Sequence, residues 1–277
     1  MEGDTMSGID VDAVRALVEH VAATVVAPRF RALAAGDVHA KGADDVVTVV
    51  DHEAEVLLTQ GLSELAPGVP VVGEEAVAAD PRVLDALEGA PRAWVVDPLD
   101  GTRAFVEGSP DHAVMVALVE HGEAVAGWIC LPAHGRTFVA ERGAGAWVDG
   151  RRLVRAPADP EALAGAVAVW AMDAGTRRRV EAGCPELGLG AGTAQRLWSG
   201  WEYSRLVTGE RDYLGYWRSS PWDHAPGAVL VREAGGVSRF FDGNEYTALP
   251  VGGPLLAAAD DATWRTVQGV LGTAVGT

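Results

Sequence analysis

Residues 94–102 read Trp94-Val95-Val96-Asp97-Pro98-Leu99-Asp100-Gly101-Thr102. An apolar, strand-forming run leads here into two carboxylates that are three positions apart. Pro98 restricts the backbone between them, so both carboxylates and the carbonyl of Leu99 can converge on one point. Hard oxygen ligands of this kind suit Mg²⁺. The alternative interpretation is a turn at the end of a strand, in which an aspartate caps a helix.

The end of this stretch favours an anion next to the carboxylates. Gly101 lets a phosphate approach the backbone closely, because it has no side chain. The amides of Gly101 and Thr102 can donate hydrogen bonds to that phosphate. The stretch therefore combines a possible cation site with a possible phosphate site.

Further acidic residues stand at the ends of apolar segments elsewhere in the chain, namely Asp51, Glu74 and Asp223. If the fold gathers them around Asp97 and Asp100, five negative charges repel one another unless divalent cations neutralise them. Each residue also has a simpler interpretation, with Asp51 and Asp223 as helix caps and Glu74 as a turn residue.

The charge balance excludes several classes of partner. The 277 residues include 22 basic and 39 acidic ones, which gives a formal net charge of −17. Duplex DNA and anionic membranes need Lys and Arg, so we expect no nucleic-acid polymer and no membrane as a partner. The only lysine, Lys41, precedes Gly42, and a Walker-type Gly-Lys-Ser/Thr loop is therefore absent.

The cysteines and the apolar runs point to an ordinary cytoplasmic protein. Cys130 and Cys184 are far apart and form no C-x-x-C motif, so a disulfide framework and a structural zinc site are not expected. The first ten residues are polar and acidic, and no uninterrupted apolar run reaches about 18 residues. We expect a soluble, cytoplasmic protein.

Hydrophobic periodicity divides the chain into an N-terminal α+β half, residues 1–155, and a C-terminal α/β half, residues 156–277. Helices and sheets in such alternation pack as layers. The predicted helices cover 11–30, a segment capped by Asp51, 198–208, 223–234 and 260–271. The predicted strands cover 46–50, 69–72, 93–96, a meander over 113–154, 166–170, 212–217, 237–241 and 255–259.

The motifs resemble those of the inositol monophosphatase family, the Mg²⁺-dependent, lithium-sensitive phosphatases. The resemblance extends over nearly the whole chain. It rests on Gly73-Glu74-Glu75, the D-P-L-D-G-T run at 97–102, W-D at 222–223 followed by E-A-G-G at 233–236, and the K-to-D segment at 41–51.

The resemblance implies a five-layered αβαβα sandwich, usually a homodimer, with two or three Mg²⁺ ions in a site between the halves. It also implies roles for individual residues. The metal ligands would be Glu74, Asp97, the Leu99 carbonyl, Asp100 and Asp223. The catalytic residues beside the attacking water would be Asp51, Glu74 and Thr102. The substrate-binding residues would be Gly101, Thr102, Tyr216 and Asp223.

One departure from the family pattern concerns the substrate. Inositol-specific members carry a Glu seven residues before the W-D aspartate, and this chain has Tyr216 there. A phenol favours stacking and cation–π contact over hydrogen bonds to ring hydroxyls, which predicts a substrate with a flat or cationic ring. The alternative is that Tyr216 and the other aromatic residues of the C-terminal half fill the core.

The leading hypothesis is a Mg²⁺-dependent phosphomonoesterase that hydrolyses a small phosphorylated metabolite by in-line attack of a metal-activated water. Candidate substrates are histidinol phosphate, a sugar or inositol phosphate, and a 3′-phosphorylated nucleotide. A second hypothesis is a non-catalytic, phospholigand-binding or regulatory relative of the same fold. A third is a metal-dependent lyase, against which the Asp-Gly-Thr phosphate site argues.

Overall fold

The computed structural model describes residues 8–34, 36–41, 46–183, 197–249 and 253–275. Three predictions made from the sequence fall partly outside these ranges: the polar first ten residues, the middle of the K-to-D segment at 42–45, and Cys184. Cys130 is described as a buried free thiol.

The α-helices lie on both sides of a run of strands over residues 113–153 and not within it. They are α1 (Val11–Val21), which continues through a π-helical turn (Ala22–Val26) into α2 (Ala27–Arg29), then α3 (Val49–Leu65), α4 (Glu74–Ala79), α5 (Asp85–Gly89), α6 (Thr102–Val106), α7 (Ala174–Gly183), α8 (Ser199–Thr208), α9 (Pro221–Ala234) and α10 (Asp261–Val275).

The strands fall into three groups. A short hairpin contains β1 (Val38–Ala40) and β2 (Val46–Thr48). Sheet one contains β3 (Val71–Gly73), β4 (Arg92–Asp100), β5 (Ala113–Glu120), β6 (Glu123–Leu131), β7 (Arg136–Glu141), β8 (Gly145–Val148) and β9 (Arg151–Leu153). Sheet two contains β10 (Gly165–Val167), β11 (Tyr213–Tyr216), β12 (Val237–Phe240) and β13 (Leu255–Ala258).

Sheet one has the strand order β3-β4-β5-β6-β7-β8-β9, and sheet two has the order β10-β11-β13-β12. In sheet one, β3 runs parallel to β4 and every other pair is antiparallel. In sheet two, β10 runs parallel to β11 and the other pairs are antiparallel.

Helices cover both faces of each sheet. Successive side chains of a strand point to opposite sides, so neighbouring residues pack against different helices. In β4, Trp94 and Val96 pack with α1 and α3, whereas Val95 packs toward α8 and α9. In β11, Leu214 also faces α8 and α9, whereas Tyr213 packs with α10. The layers therefore alternate helix, sheet, helix, sheet, helix, and the predicted five-layered αβαβα sandwich is confirmed.

The middle helical layer connects the two halves of the chain. The strands of sheet one end at Leu153 and those of sheet two begin at Gly165. Because α8 and α9 pack against both sheets, one core cluster contains residues of both. The division at residue 155 stays a prediction.

Three local predictions were wrong at their boundaries. The strand expected over 46–50 ends at Thr48, whose side chain caps α3, so Asp51 lies inside the helix and is not its cap. The strand expected over 166–170 ends at Val167 and turns into a 3₁₀ helix. The strand expected over 93–96 continues to Asp100.

Gly209 and Gly235 end α8 and α9 in the left-handed conformation, directly after the predicted helix ends at 208 and 234. In the described part of the chain, every helix is too short or too polar to cross a bilayer.

The contact between α3 and sheet one gives a test of the packing. Leu58 of α3 is fully buried, and Val56 on the same helix is 53% exposed. We expect Leu58→Ala to lower the free energy of unfolding by about 2–5 kcal/mol, because it removes buried methyl groups and leaves a cavity. Val56→Ala should change it by less than about 0.5 kcal/mol. Equilibrium denaturation of both variants checks this, and equal losses would contradict the orientation of α3.

Candidate active site

A bulge at the end of β4 places Asp97 and Asp100 side by side. Residues three apart on a regular strand point to opposite faces. The pairing with β5 shifts here, since Asp97 faces Met115 whereas Asp100 faces Ala113, so that three steps on β4 match two on β5. The extra residue on β4 turns both carboxylates to the same side of the sheet.

The first turn of α9 adds a third carboxylate. Oxygens of Asp97, Asp100 and Asp223 all lie within 4.8 Å of one another, and Asp97 and Asp100 are buried. Among the described residues, these three carboxylates form a group that could hold a cation. The structure thus brings together residues from the two halves of the chain.

Glu74 reaches the same edge of sheet one. It follows β3, whose residue Gly73 pairs with Val96 of the parallel strand β4, and it begins α4. The ammonium group of Lys41 lies 2.8 Å from an oxygen of Glu74 and 2.8 Å from an oxygen of Glu75. Lys41 therefore supplies a positive charge to this acidic edge.

Asp51 and Thr102 are brought together next to the Leu99 carbonyl. The backbone and hydroxyl of Thr48 donate to Oδ2 of Asp51 at 2.8 and 2.6 Å, which completes a capping box at the start of α3. The hydroxyl oxygen of Thr102 lies 2.9 Å from Oδ1 of Asp51 and 3.0 Å from the carbonyl oxygen of Leu99. Its single proton can be given to either acceptor.

Two backbone amides of α8 hold Asp100, which the sequence did not predict. Ser199 and Gly200 donate to its two oxygens at 3.1 and 2.9 Å. A Cβ atom on Gly200 would lie 2.5 Å from the Cβ of Ala113, so the close approach requires glycine. The sequence signal is weak, because these residues are about one hundred positions from Asp100.

Glu55 is a second residue that sequence reasoning missed. Its carboxylate accepts hydrogen bonds from the amides of Glu75 and Ala76, both at 2.8 Å, at the start of α4. A negative charge is favourable at a helix N-terminus, where amides lack partners. The available signal was the spacing of four residues between Asp51 and Glu55, which puts both on one face of α3.

Gly101 has the backbone conformation that its proposed role needs. Its φ of 78° lies in the left-handed region. A Cβ atom there would lie 2.9 Å from the carbonyl oxygen of Asp111 and 3.4 Å from Cγ of Trp198. Both the turn and the crowding explain why glycine stands immediately before Thr102.

Tyr216, which is predicted to bind substrate, is covered by other aromatic rings in this structure. It is 4% exposed, and its ring packs 5.7 Å from that of Tyr203 and 4.5 Å from the imidazole of His224. His224 is itself buried and held by the carbonyl of Arg218 at 2.9 Å. The alternative given above, core packing, describes Tyr216 in this structure, because β11 points it into the middle layer.

Burial and mutual repulsion make the cluster costly when it is fully ionised. Burial raises the pKa of Asp97 well above its usual range, and the charges of Glu74, Asp100 and Asp223 raise it further. Burial and Asp223 raise the pKa of Asp100 to about 7, although two amides oppose the shift. Burial raises the pKa of Glu74 to about 8, against the effect of Lys41.

These residues fit a divalent cation of the magnesium type. The donors are hard carboxylate and carbonyl oxygens, which Mg²⁺ prefers. The repulsion among them is of the kind that a bound cation removes. Burial also raises the pKa of Asp51, so that it is a stronger base than an exposed aspartate.

The fold and the site define a class of layered α/β phosphatases. The chain belongs to the inositol monophosphatase family, whose family model matches residues 9–273. The family resemblance seen in the sequence is thereby confirmed.

Relatives of this chain carry several phosphatase names. A fructose-1,6-bisphosphatase/inositol-1-monophosphatase of Thermotoga maritima is 31% identical over 218 residues, which are 75% of this chain and 76% of the relative. A histidinol-phosphatase of Chlorobaculum parvum is 30% identical over 239 residues, or 85% and 86% of the two chains. The solved structure of an IMPase from Thermotoga maritima matches with a TM-score of 0.77 at 25% identity and covers 96% of this chain and 97% of that chain.

The carboxylate cluster predicts an unusual effect of Asp97→Asn on the metal-free protein. Asparagine keeps an oxygen for the amide of Leu99, which donates to Asp97 at 3.1 Å, and removes one repelling charge. We expect a higher melting temperature than the wild type at pH 8 in chelator, by about 2–4 °C for each kcal/mol of repulsion relieved. Asp100→Asn should raise the melting temperature less, because the NH₂ group of the asparagine would face one of the two backbone amides that donate to Asp100.

The advantage of Asp97→Asn should shrink at pH 5. The folded pKa values of Asp100 and Glu74, about 7 and 8, exceed their unfolded values of about 4. Folding therefore takes up protons, and the wild type loses stability as the pH rises from about 4 to about 8. Thermal melting at both pH values checks this, and a wild type that melts higher than the variant at pH 8 would show that the cluster is not repulsive.

Proposed function

We propose that the protein is a Mg²⁺-dependent phosphomonoesterase that hydrolyses a small phosphorylated metabolite. The observation that carries this proposal is the cluster of Asp97, Asp100 and Asp223, with oxygens within 4.8 Å, directly before the Gly101–Thr102 turn. A cation site and an anion site in direct succession suit a phosphate ester. The phosphatase names of the relatives support the same class of reaction.

The residues that would hold two or three Mg²⁺ ions are Glu74, Asp97, the Leu99 carbonyl, Asp100 and Asp223. Bound Mg²⁺ supplies charge for the phosphate and lowers the pKa of a water molecule. The chain's own contribution is to hold these oxygens in place before substrate arrives. The β4 bulge, the α8 amides and the Lys41–Glu74 pair do this in the metal-free structure.

Thr102 and Asp51 form a route for the proton of the attacking water. The water gives its proton to Oγ1 of Thr102, which gives its own proton to Oδ1 of Asp51, 2.9 Å away. Glu74 would serve as a second acceptor. The water oxygen forms the new bond to phosphorus, the ester P–O bond breaks, and the leaving oxygen takes up a proton from solvent. A base with a raised pKa is better matched to neutral pH.

The amides of Gly101 and Thr102 would hold the phosphate through the reaction. They are fixed by the left-handed turn at Gly101, so they need no rearrangement when charge builds up on the phosphate oxygens. Asp223 would contact the substrate as well as the metal. The substrate-binding role of Tyr216 stays a prediction, since its ring is covered in this structure.

The second hypothesis, a non-catalytic relative, is disfavoured by the complete set of acidic residues. A protein that only binds a phospholigand has no need of the Asp51–Thr102 pair. The homodimer and the cytoplasmic location stay predictions.

Phosphate release provides the direct test of the proposal. We expect the purified protein to release phosphate from at least one small monoester in Mg²⁺ and to lose this activity in excess chelator, because the carboxylates need cations to accept an anion. Asp97→Asn serves as the inactive control. Activity that persists in chelator, or no release from any ester in a broad panel, would contradict the proposal.

Two substitutions of Thr102 distinguish a role in proton transfer from a role in packing. Thr102→Val keeps the shape of the side chain and removes the hydroxyl that donates to Asp51. We expect kcat to fall by at least about 10²-fold, in the range for loss of a general acid–base group. Thr102→Ser keeps the hydroxyl and should retain most of the activity. If valine and serine variants have the same kcat, Thr102 does not carry the proton.

A further inference from the structure

Trp198 borders the turn that would hold the phosphate. Its Cγ atom lies 3.4 Å from the point that a Cβ atom on Gly101 would occupy. The residue is the N-cap of α8, and its indole is partly exposed. This ring of the C-terminal half therefore lies next to Gly101 of the Asp-Gly-Thr segment.

The position of Trp198 is fixed by the same contacts that hold a metal-binding carboxylate. The next two residues, Ser199 and Gly200, donate their amides to Asp100. The start of α8 cannot move relative to Asp100 without breaking both hydrogen bonds. The backbone next to Trp198 is thus held beside Asp100.

A row of side chains continues from Trp198 along α8. Trp201 stacks on the imidazole of His134, with 4.5 Å between ring centres and an angle of 14°. His134 lies 3.4 Å from the carboxylate of Asp111, whose carbonyl oxygen packs against Gly101. The guanidinium of Arg205 also lies over Trp201, 5.7 Å from its ring centre. These contacts hold the ring of Trp201 in place.

We propose that Trp198 selects the substrate by stacking, and that the natural substrate is a phosphomonoester whose alcohol carries a flat heteroaromatic ring. This inference rests on the proposed function, since it assigns the leaving group of that reaction. An indole offers a flat apolar face and one N–H donor, so it gains most from a planar ring and little from a polyhydroxylated, non-planar one. The acidic surroundings favour a ring that is neutral or cationic.

The test compares four esters in Mg²⁺. Histidinol phosphate carries an imidazole ring and adenosine 3′-phosphate a purine, whereas inositol 1-phosphate and glycerol 2-phosphate carry no flat ring. We expect kcat/KM to favour at least one flat-ring ester over both others. Trp198→Ala should reduce that preference by about 5- to 100-fold, the range for losing one ring–aromatic stack. The better of the two flat-ring esters identifies the ring.

Three variants control for folding and for general loss of aromatic surface. Trp198→Phe keeps a flat ring and should keep most of the preference, whereas Trp198→Leu keeps apolar bulk and should lose it. Trp147→Ala removes an exposed indole, 39% accessible, on β8 of sheet one, and should change nothing. Inhibition by the dephosphorylated alcohols gives a second readout, because Trp198→Ala should weaken histidinol or adenosine but not inositol.

The outcomes separate the two proposals. Phosphate release from none of the esters in Mg²⁺ would overturn the proposed function and the inference with it. Release from all four with a preference that Trp198→Ala and Trp198→Leu leave unchanged would overturn the role of Trp198 alone. A wild type that prefers inositol 1-phosphate would overturn the assignment of a flat ring.

Discussion

Electrostatic repulsion among buried carboxylates is the constraint that the rest of this structure must satisfy. Asp97, Asp100 and Asp223 bring their oxygens within 4.8 Å of one another, and Glu74 is close enough to raise the pKa of Asp97. Ionised groups in such a place oppose folding unless something compensates them. The protein carries this strain because the same arrangement attracts cations.

Backbone amides and the ammonium group of Lys41 offset part of this repulsion. The amides of Ser199 and Gly200 neutralise part of the charge of Asp100, and Lys41 pairs with Glu74. Glu55 organises the backbone after Glu74 through two further amides. Because α8 and α9 lie between the two sheets, a change in the packing of either sheet reaches the cluster through its middle layer.

Motifs with local causes could be predicted from the sequence. The apolar run before Asp97, the Gly-Glu-Glu turn and the W-D helix start each reflect a strand or helix end. The carboxyl ends of the parallel strands β3 and β4 lie at a common edge. The bulge that turns Asp97 and Asp100 to one side was not visible, since it depends on pairing with β5.

Residues whose environment depends on distant packing could not be predicted. Tyr216 matched a substrate position by its distance from Asp223, but its ring is covered by Tyr203 and His224. The proximity of Trp198 to Gly101 depends on the packing of α8 against Asp100, which is distant in sequence. The apolar run before Asp51 predicts this residue as a helix cap, whereas the hydroxyl of Thr48 caps the helix three residues earlier.

The pairing of Lys41 has a consequence for chemical labelling. It is the only lysine side chain in the sequence, and it is held between Glu74 and Glu75. Burial alone would lower its pKa, but the two carboxylates raise it above the usual value, so the amine stays protonated and poorly nucleophilic. Amine-directed dyes, crosslinkers and sensor surfaces therefore find no ordinary lysine to attach to. Coupling at Lys41 reports that its ion pairs have opened, so the same reagents serve as probes of the acidic edge.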